Sequence, residues 1–315
     1  ELALFIFLLG YLTDMFQFIG LFLAKYRQVS VNVERMTDLL QGGLPDVIVK
    51  RRSLALRGDI GALPQPGNGD PLHTLQVRGL AYTYQGSDQG IREVDLDMAG
   101  GDFVVITGRI GSGKTTLLRA VLGLLTPQSG EVRWNGEPVV DPAKFFVPPH
   151  SAYTPQVPRL FSMALRDNLL LGLDVPDTAV RAAVEAAVMG PDLEAMEEGL
   201  DTLIGPLGVR LSGGQVQRTA AARMFVRRPQ LMVFDDLSSA LDVDTERMLW
   251  ARLFAGTDRP TCLVVSHRRA ALQRASEILV LRAGAPAARG SLEHLLETSV
   301  DFRELWHGEE AASRP

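Results

Sequence analysis

Gly108-Arg109-Ile110-Gly111-Ser112-Gly113-Lys114-Thr115 decides the fold. The run fits G-x-x-x-x-G-K-[ST], a loop between a buried strand and a helix that cradles phosphates. Its glycines let the backbone turn tightly and aim successive N–H groups inward, beside a helix N-terminus. Lys114 supplies a point charge to the outer phosphates, and the Thr115 hydroxyl suits magnesium. The nucleotide-binding set on this loop therefore runs from Gly108 through Thr116. The flanks agree. Phe103–Thr107 reads as a short buried strand, and Thr115–Leu125 as the helix that follows. Further on, the apolar strand Leu231-Met232-Val233-Phe234 ends in Asp235-Asp236. The Asp235 carboxylate then emerges at the C-terminal end of a buried strand, where a magnesium partner belongs in such folds.

Working outward, the chain alternates strands and helices from Leu72. Leu75–Tyr84 and Val132–Trp134 read as strands, with Asn135-Gly136 a hairpin turn. Residues 165–228 read as mostly helical, and Leu263–Val265 and Ile278–Leu281 as buried strands. This is an α/β domain with a parallel core and no internal repeats.

The net charge of -5 has no basic bias, so nucleic acid is not expected as a partner. Cys262 is the single cysteine, which rules out a disulfide framework within one chain and fits a reducing compartment. It lies in an apolar run and reads as a small buried residue. The mean hydropathy is slightly positive, +0.08, and the excess sits at the N-terminus. Leu2 to Ala24 is almost wholly apolar and long enough to cross a bilayer as a helix. No basic leader or small-residue cleavage site marks it as a signal peptide. Lys25, Arg27 and Arg35 follow, which places everything after residue 25 in the cytosol. Gly10, Thr13, Asp14 and Gln17 share one helical face, so that face should look at other helices or a wet cavity. It can line a translocation path or pack through small residues. One span cannot enclose a pathway, so further helices are expected upstream, in partner chains, or both. The helical pattern continues to Leu40, and Gly42, Gly43 and Pro45 end it.

Leu211-Ser212-Gly213-Gly214-Gln215 lies between the phosphate loop and the acidic strand. With both, it resembles the ATP-binding cassette (ABC) ATPases, over roughly residues 72–308. The resemblance implies a P-loop NTPase with a RecA-like parallel core, an antiparallel β subdomain and an α-helical subdomain, preceded by one transmembrane helix. It divides the chain into a last transmembrane helix with its cytosolic extension (1–40), a linker (41–71), the nucleotide-binding domain (72–308) and a tail (309–315). The cofactors implied are ATP and Mg2+. Tyr84 matches the aromatic residue that stacks on adenine, with Tyr82 its neighbour on the other strand face. Gln156, in Tyr153-Thr154-Pro155-Gln156, looks like the glutamine that reaches magnesium and water. Asp242, in Ser239-Ala240-Leu241-Asp242, belongs to a segment that crosses between subunits. His267 matches the histidine at the outer phosphate. Ser212, Gly213, Gly214 and Gln215 open a helix, Gln215–Arg227, whose free N–H groups and Ser hydroxyl suit an anion. The resemblance implies that they face the ATP of a second half-transporter, in a homodimer or heterodimer.

The chain departs from the family pattern at two places. Most members carry Glu where Asp236 stands, and it polarises the attacking water. The Asp arm is one methylene shorter, and a misplacement of about 1 Å can cost about a hundredfold in rate. Either Asp236 still acts as base, or this chain is mainly an ATP-holding regulatory subunit beside a hydrolysing partner. Exporters of the family often carry Glu at the place of Pro206, so coupling falls to other groups such as Arg210. The order of membrane helix then ATPase in one chain resembles exporters, which act in the cell membrane with lipid around the helices. The transported substrate is not legible.

Overall fold

The computed structural model describes residues 2–38, 49, 65–67, 69–205, 209–256 and 259–312. The linker expected over 41–71 and the departure at Pro206 therefore lie wholly or largely outside the described residues. The chain divides into two units, Glu1–Ala62 and Leu63–Pro315.

The first unit holds α1 (Leu2–Asp38), one helix of 37 residues. At 1.5 Å per residue it is about 55 Å long, well beyond the ~30 Å of a hydrocarbon core. Its most apolar window has a mean hydropathy of 1.9 and no buried residue, so its side chains present an apolar surface to their surroundings. Thr13 satisfies its hydroxyl within the helix, donating to the Leu9 carbonyl at 2.9 Å.

The second unit begins with the hairpin β1 (Thr74–Thr83) and β2 (Gly90–Ala99), then β3 (Phe103–Thr107) and α2 (Lys114–Val121). β4 (Ser129–Trp134) turns into β5 (Glu137–Pro138), and α3 (Pro142–Phe145) leads to β6 (Ser151–Thr154). A helical segment follows: β7 (Met163–Ala164), α4 (Leu165–Leu170), α5 (Asp177–Ala186), α6 (Gly190–Glu194), β8 (Leu203–Ile204) and α7 (Gly213–Phe225). The chain then returns through β9 (Leu231–Asp235), α8 (Val243–Leu253), β10 (Thr261–Val265) and α9 (Arg269–Leu272). It closes with β11 (Glu277–Arg282), β12 (Ala285–Gly290), α10 (Leu292–Thr298) and α11 (Val300–Ala312).

The central sheet has six strands in the order β12-β11-β3-β10-β9-β6, parallel except for the edge strand β12. A separate four-stranded antiparallel sheet runs β2-β1-β4-β5. The apolar runs of the central strands are buried on both faces, and side-chain alternation splits them between two cores. Phe103, Val105, Phe234 and Val264 face the helical segment. Val104, Ile106, Val233 and Leu263 face α2 and the antiparallel sheet. Cys262 is buried on the helical side, and burial pushes its thiol up.

Local chemistry shifts several expected boundaries. The helix after the phosphate loop ends at Val121, not Leu125. Gly123 is left-handed at φ 70, its N–H bonds to the Ala120 carbonyl at 3.1 Å, and the Leu124 N–H bonds to the Arg119 carbonyl at 2.8 Å. That is a Schellman stop. The helix expected from Gln215 begins two residues earlier, at Gly213, because Ser212 caps it. Asn135 and Gly136, at φ 53 and 86, make the expected hairpin turn. β2 was not expected. Its inward residues Ile91, Val94, Leu96 and Met98 are out of simple alternation because Glu93 sits at φ 47.

Candidate nucleotide-binding site

Every parallel strand of the central sheet ends on the same edge, and the candidate residues gather there. β3 runs straight into the phosphate loop. Gly108 has φ 146, and a Cβ there would lie 2.3 Å from the Leu281 carbonyl oxygen at the end of β11. Only glycine fits that close approach. Lys114 Nζ donates to the carbonyls of Gly108 at 2.7 Å and Arg109 at 2.9 Å, which closes the loop over its own base. Burial lowers the Lys114 ammonium below its ordinary value, and the nearby Asp236 and Asp235 oppose that shift. Ile110 stands fully exposed at the loop tip, while the buried Ser112 hydroxyl has no partner among the described residues. Arg109 forms an exposed ion pair with Glu304 of α11.

Asp235 ends β9 and is 1% exposed. Each of its oxygens accepts one hydroxyl: Thr115 Oγ1 at 2.9 Å on Oδ1 and Tyr153 at 3.1 Å on Oδ2. Burial pushes the Asp235 carboxyl up, and those two hydrogen bonds pull it back. Asp236 adopts a left-handed conformation at φ 53, its N–H donating to the Val265 carbonyl at 3.0 Å. This turn swings its carboxylate away from the strand line. Gln156 Nε2 donates to Asp236 Oδ2 at 3.2 Å, and Oδ1 is buried with no partner among the described residues. Gln156 lies two residues past β6, whose Thr154 pairs with Phe234. Its own carbonyl accepts from Gln217 Nε2 of α7 at 2.7 Å. His267 is exposed and follows β10, whose Val265 pairs with both Asp235 and Ile106. The register thus brings Thr115, Gln156, Asp235, Asp236 and His267 to one edge.

Tyr84 follows β1, and its hydroxyl lies 3.3 Å from Thr116 Oγ1 at the start of α2. Its ring meets Tyr82 edge-on at 5.0 Å, and Tyr82 packs against the core.

The signature run is organised differently. The Ser212 hydroxyl accepts the Gln215 N–H at 3.3 Å, and Gln215 Oε1 accepts the Ser212 N–H at 2.8 Å, a reciprocal capping box. Gln215 Nε2 reaches Asp192 at 3.0 Å, and Asp192 pairs with Arg218 at 2.7 Å. The Gln215 side chain serves the helix end, while the Ser212 hydroxyl accepts there and keeps its own proton to donate. The N–H groups of Gly213 and Gly214 occupy the first helical positions, where no intrahelical acceptor exists. Asp242 likewise caps α8, its two oxygens accepting from the N–H and hydroxyl of Thr245 at 2.8 and 2.7 Å.

Thr115, Asp235 and Gln156 offer hard oxygen donors of the kind magnesium takes. No group of three or more His, Cys, Asp or Glu able to hold a metal occurs among the described residues. Sequence reasoning assigned no role to Tyr153 or Gln217. The available signal was weak: a Tyr on a buried strand and a Gln inside an otherwise apolar helix face.

A family model described as ABC transporter matches residues 91–239. Those residues form an ABC transporter domain. The cassette is an ATP-binding domain of mixed α/β architecture. The chain is 29% identical over 280 residues to a probable multidrug resistance ABC transporter ATP-binding/permease protein, YheI, of Bacillus subtilis, covering 87% of this chain and 47% of that protein. It is 34% identical over 245 residues to an ATP-dependent lipid A-core flippase of Thiobacillus denitrificans, covering 76% of this chain and 42% of that one. A solved structure of a bacterial Atm1-family ABC exporter with ATP bound superposes with a TM-score of 0.72 at 25% identity, over 90% of this chain and 48% of that one. The chain spans less than half the length of these relatives.

Proposed function

We propose that the cassette binds and hydrolyses ATP with magnesium and drives export across a membrane, paired with a second half-transporter. The observation that carries this reading is the convergence of the phosphate loop, Asp235, Asp236, Gln156 and His267 on one edge of the sheet. Backbone N–H groups of residues 108–116 and the Lys114 charge hold the phosphates. Thr115, Asp235 and Gln156 hold magnesium, which when bound neutralises charge on the outer phosphates. Asp236 has one oxygen engaged by Gln156 and the other without a partner among the described residues, which suits a group that orients and deprotonates water. His267 faces the outer phosphate and Tyr84 the base. Ser212, Gly213, Gly214 and Asp242 lie on surfaces for the second half. α1 spans the bilayer in lipid, with the cassette on the cytoplasmic side. The relatives' names differ in cargo, so none is carried over.

The test is steady-state ATP turnover of the protein in lipid beside its Asp236→Asn variant. Clear turnover, lost in the variant, is expected. Tight ATP binding with negligible turnover in both proteins would instead support the ATP-holding reading, which the short Asp236 arm motivates.

A further inference from the structure

Tyr153 stands on β6, opposite Val233 of β9, and is half-buried against the core that faces α2. Its phenol donates to Asp235 Oδ2 at 3.1 Å. The other Asp235 oxygen accepts from Thr115 at 2.9 Å, so the carboxylate is pinned from both sides in a site that is 1% exposed. The result is a chain of hydrogen bonds that runs from Tyr153 of β6 to Asp235 of β9 and on to Thr115 of α2.

We infer that Tyr153 is a positioning residue for the metal step: it fixes the rotation of the Asp235 carboxylate so that the edge toward Thr115 is presented to magnesium. This rests on the reading of Asp235 as a magnesium partner. Without the phenol, Oδ2 would be a buried carboxylate oxygen with one partner removed, and the group would be free to rotate. Outer-sphere hydrogen bonds of this kind typically govern metal affinity by about 10–100-fold.

The test is Tyr153→Phe, which keeps the ring and its packing. In the protein purified in lipid, binding of a fluorescent ATP analogue is titrated with Mg2+ and, separately, measured in EDTA. The expected result is a rise of about tenfold in the Mg2+ concentration for half-maximal effect. EDTA affinity should stay within about twofold of wild type, since the phosphate loop is untouched. Asp235→Asn is run beside it. If Asp235→Asn raises the Mg2+ requirement and Tyr153→Phe does not, the inference fails and the magnesium reading stands. If neither moves it, both fail. An equal loss with and without Mg2+ in Tyr153→Phe would mean that the hydroxyl only supports the fold.

Discussion

The phosphate-loop edge and the signature run, the two surfaces proposed to meet ATP, are built by opposite means. At the phosphate-loop edge, the polar bonds join distant segments: Thr115 to Asp235, Tyr153 to Asp235, and Gln156 to Asp236. At the signature run, Ser212 and Gln215 bond each other across a single helical turn, and Gln215 reaches only to Asp192. The first surface is organised by the sheet before any ligand arrives. The second is a capped helix end with two glycine N–H groups left over. A helix end of this kind can serve an anion brought from outside the chain, which fits the proposal that a second half-transporter brings it.

Four measurements would break or sharpen this contrast. The largest effect is expected from Lys114→Ala, which removes both the charge and the two bonds that close the loop. ATP binding by fluorescence should fall by more than about a hundredfold; retained tight binding would mean that the loop is not the phosphate site. The same lysine sets a pH limit. Burial lowers its folded pKa, so its charge and the ATP affinity should be lost at a lower alkaline pH than for a free lysine. An affinity flat through that range would argue against its role. Ser212→Ala should separate the two surfaces. Loss of the cap should cost about 1 kcal/mol in melting experiments. ATP-driven pairing of two cassettes should weaken, while ATP affinity of the unpaired cassette stays unchanged. A drop in that unpaired affinity would place Ser212 at its own chain's nucleotide. The smallest effect is expected from Tyr84→Ala, a several-fold loss of ATP affinity, in line with the ~1–3 kcal/mol of a base stack. The same loss from Tyr82→Ala instead would move the base to that ring.

Much of the cassette was legible because its signals are local. The runs Phe103–Thr107 and Leu231–Phe234 are apolar enough to be read as buried strands, and the glycine spacing of residues 108–115 declares the loop between strand and helix. Where local signals conflict, reading failed. Leu122, Leu124 and Leu125 extend an apolar run past the helix, and only the left-handed turn at Gly123 stops it. β2 loses its alternation at Glu93, and β12 is built of Ala, Pro, Arg and Gly with little apolar pattern to read.

By itself the sequence determined the phosphate-loop motif, the order of the parts and the apolar span at the N-terminus, since each is written in neighbouring residues whose spacing matches a turn, a strand or a helix. Tertiary structure alone decided which of the two Asp235 oxygens meets Thr115 and which meets Tyr153. It alone decided that Gln217 braces the Gln156 loop, and that the Gln215 amide reaches Asp192. Hydrogen bonds between segments far apart in the chain depend on strand order and register. Those are set by how whole faces bury together, and no local spacing records them.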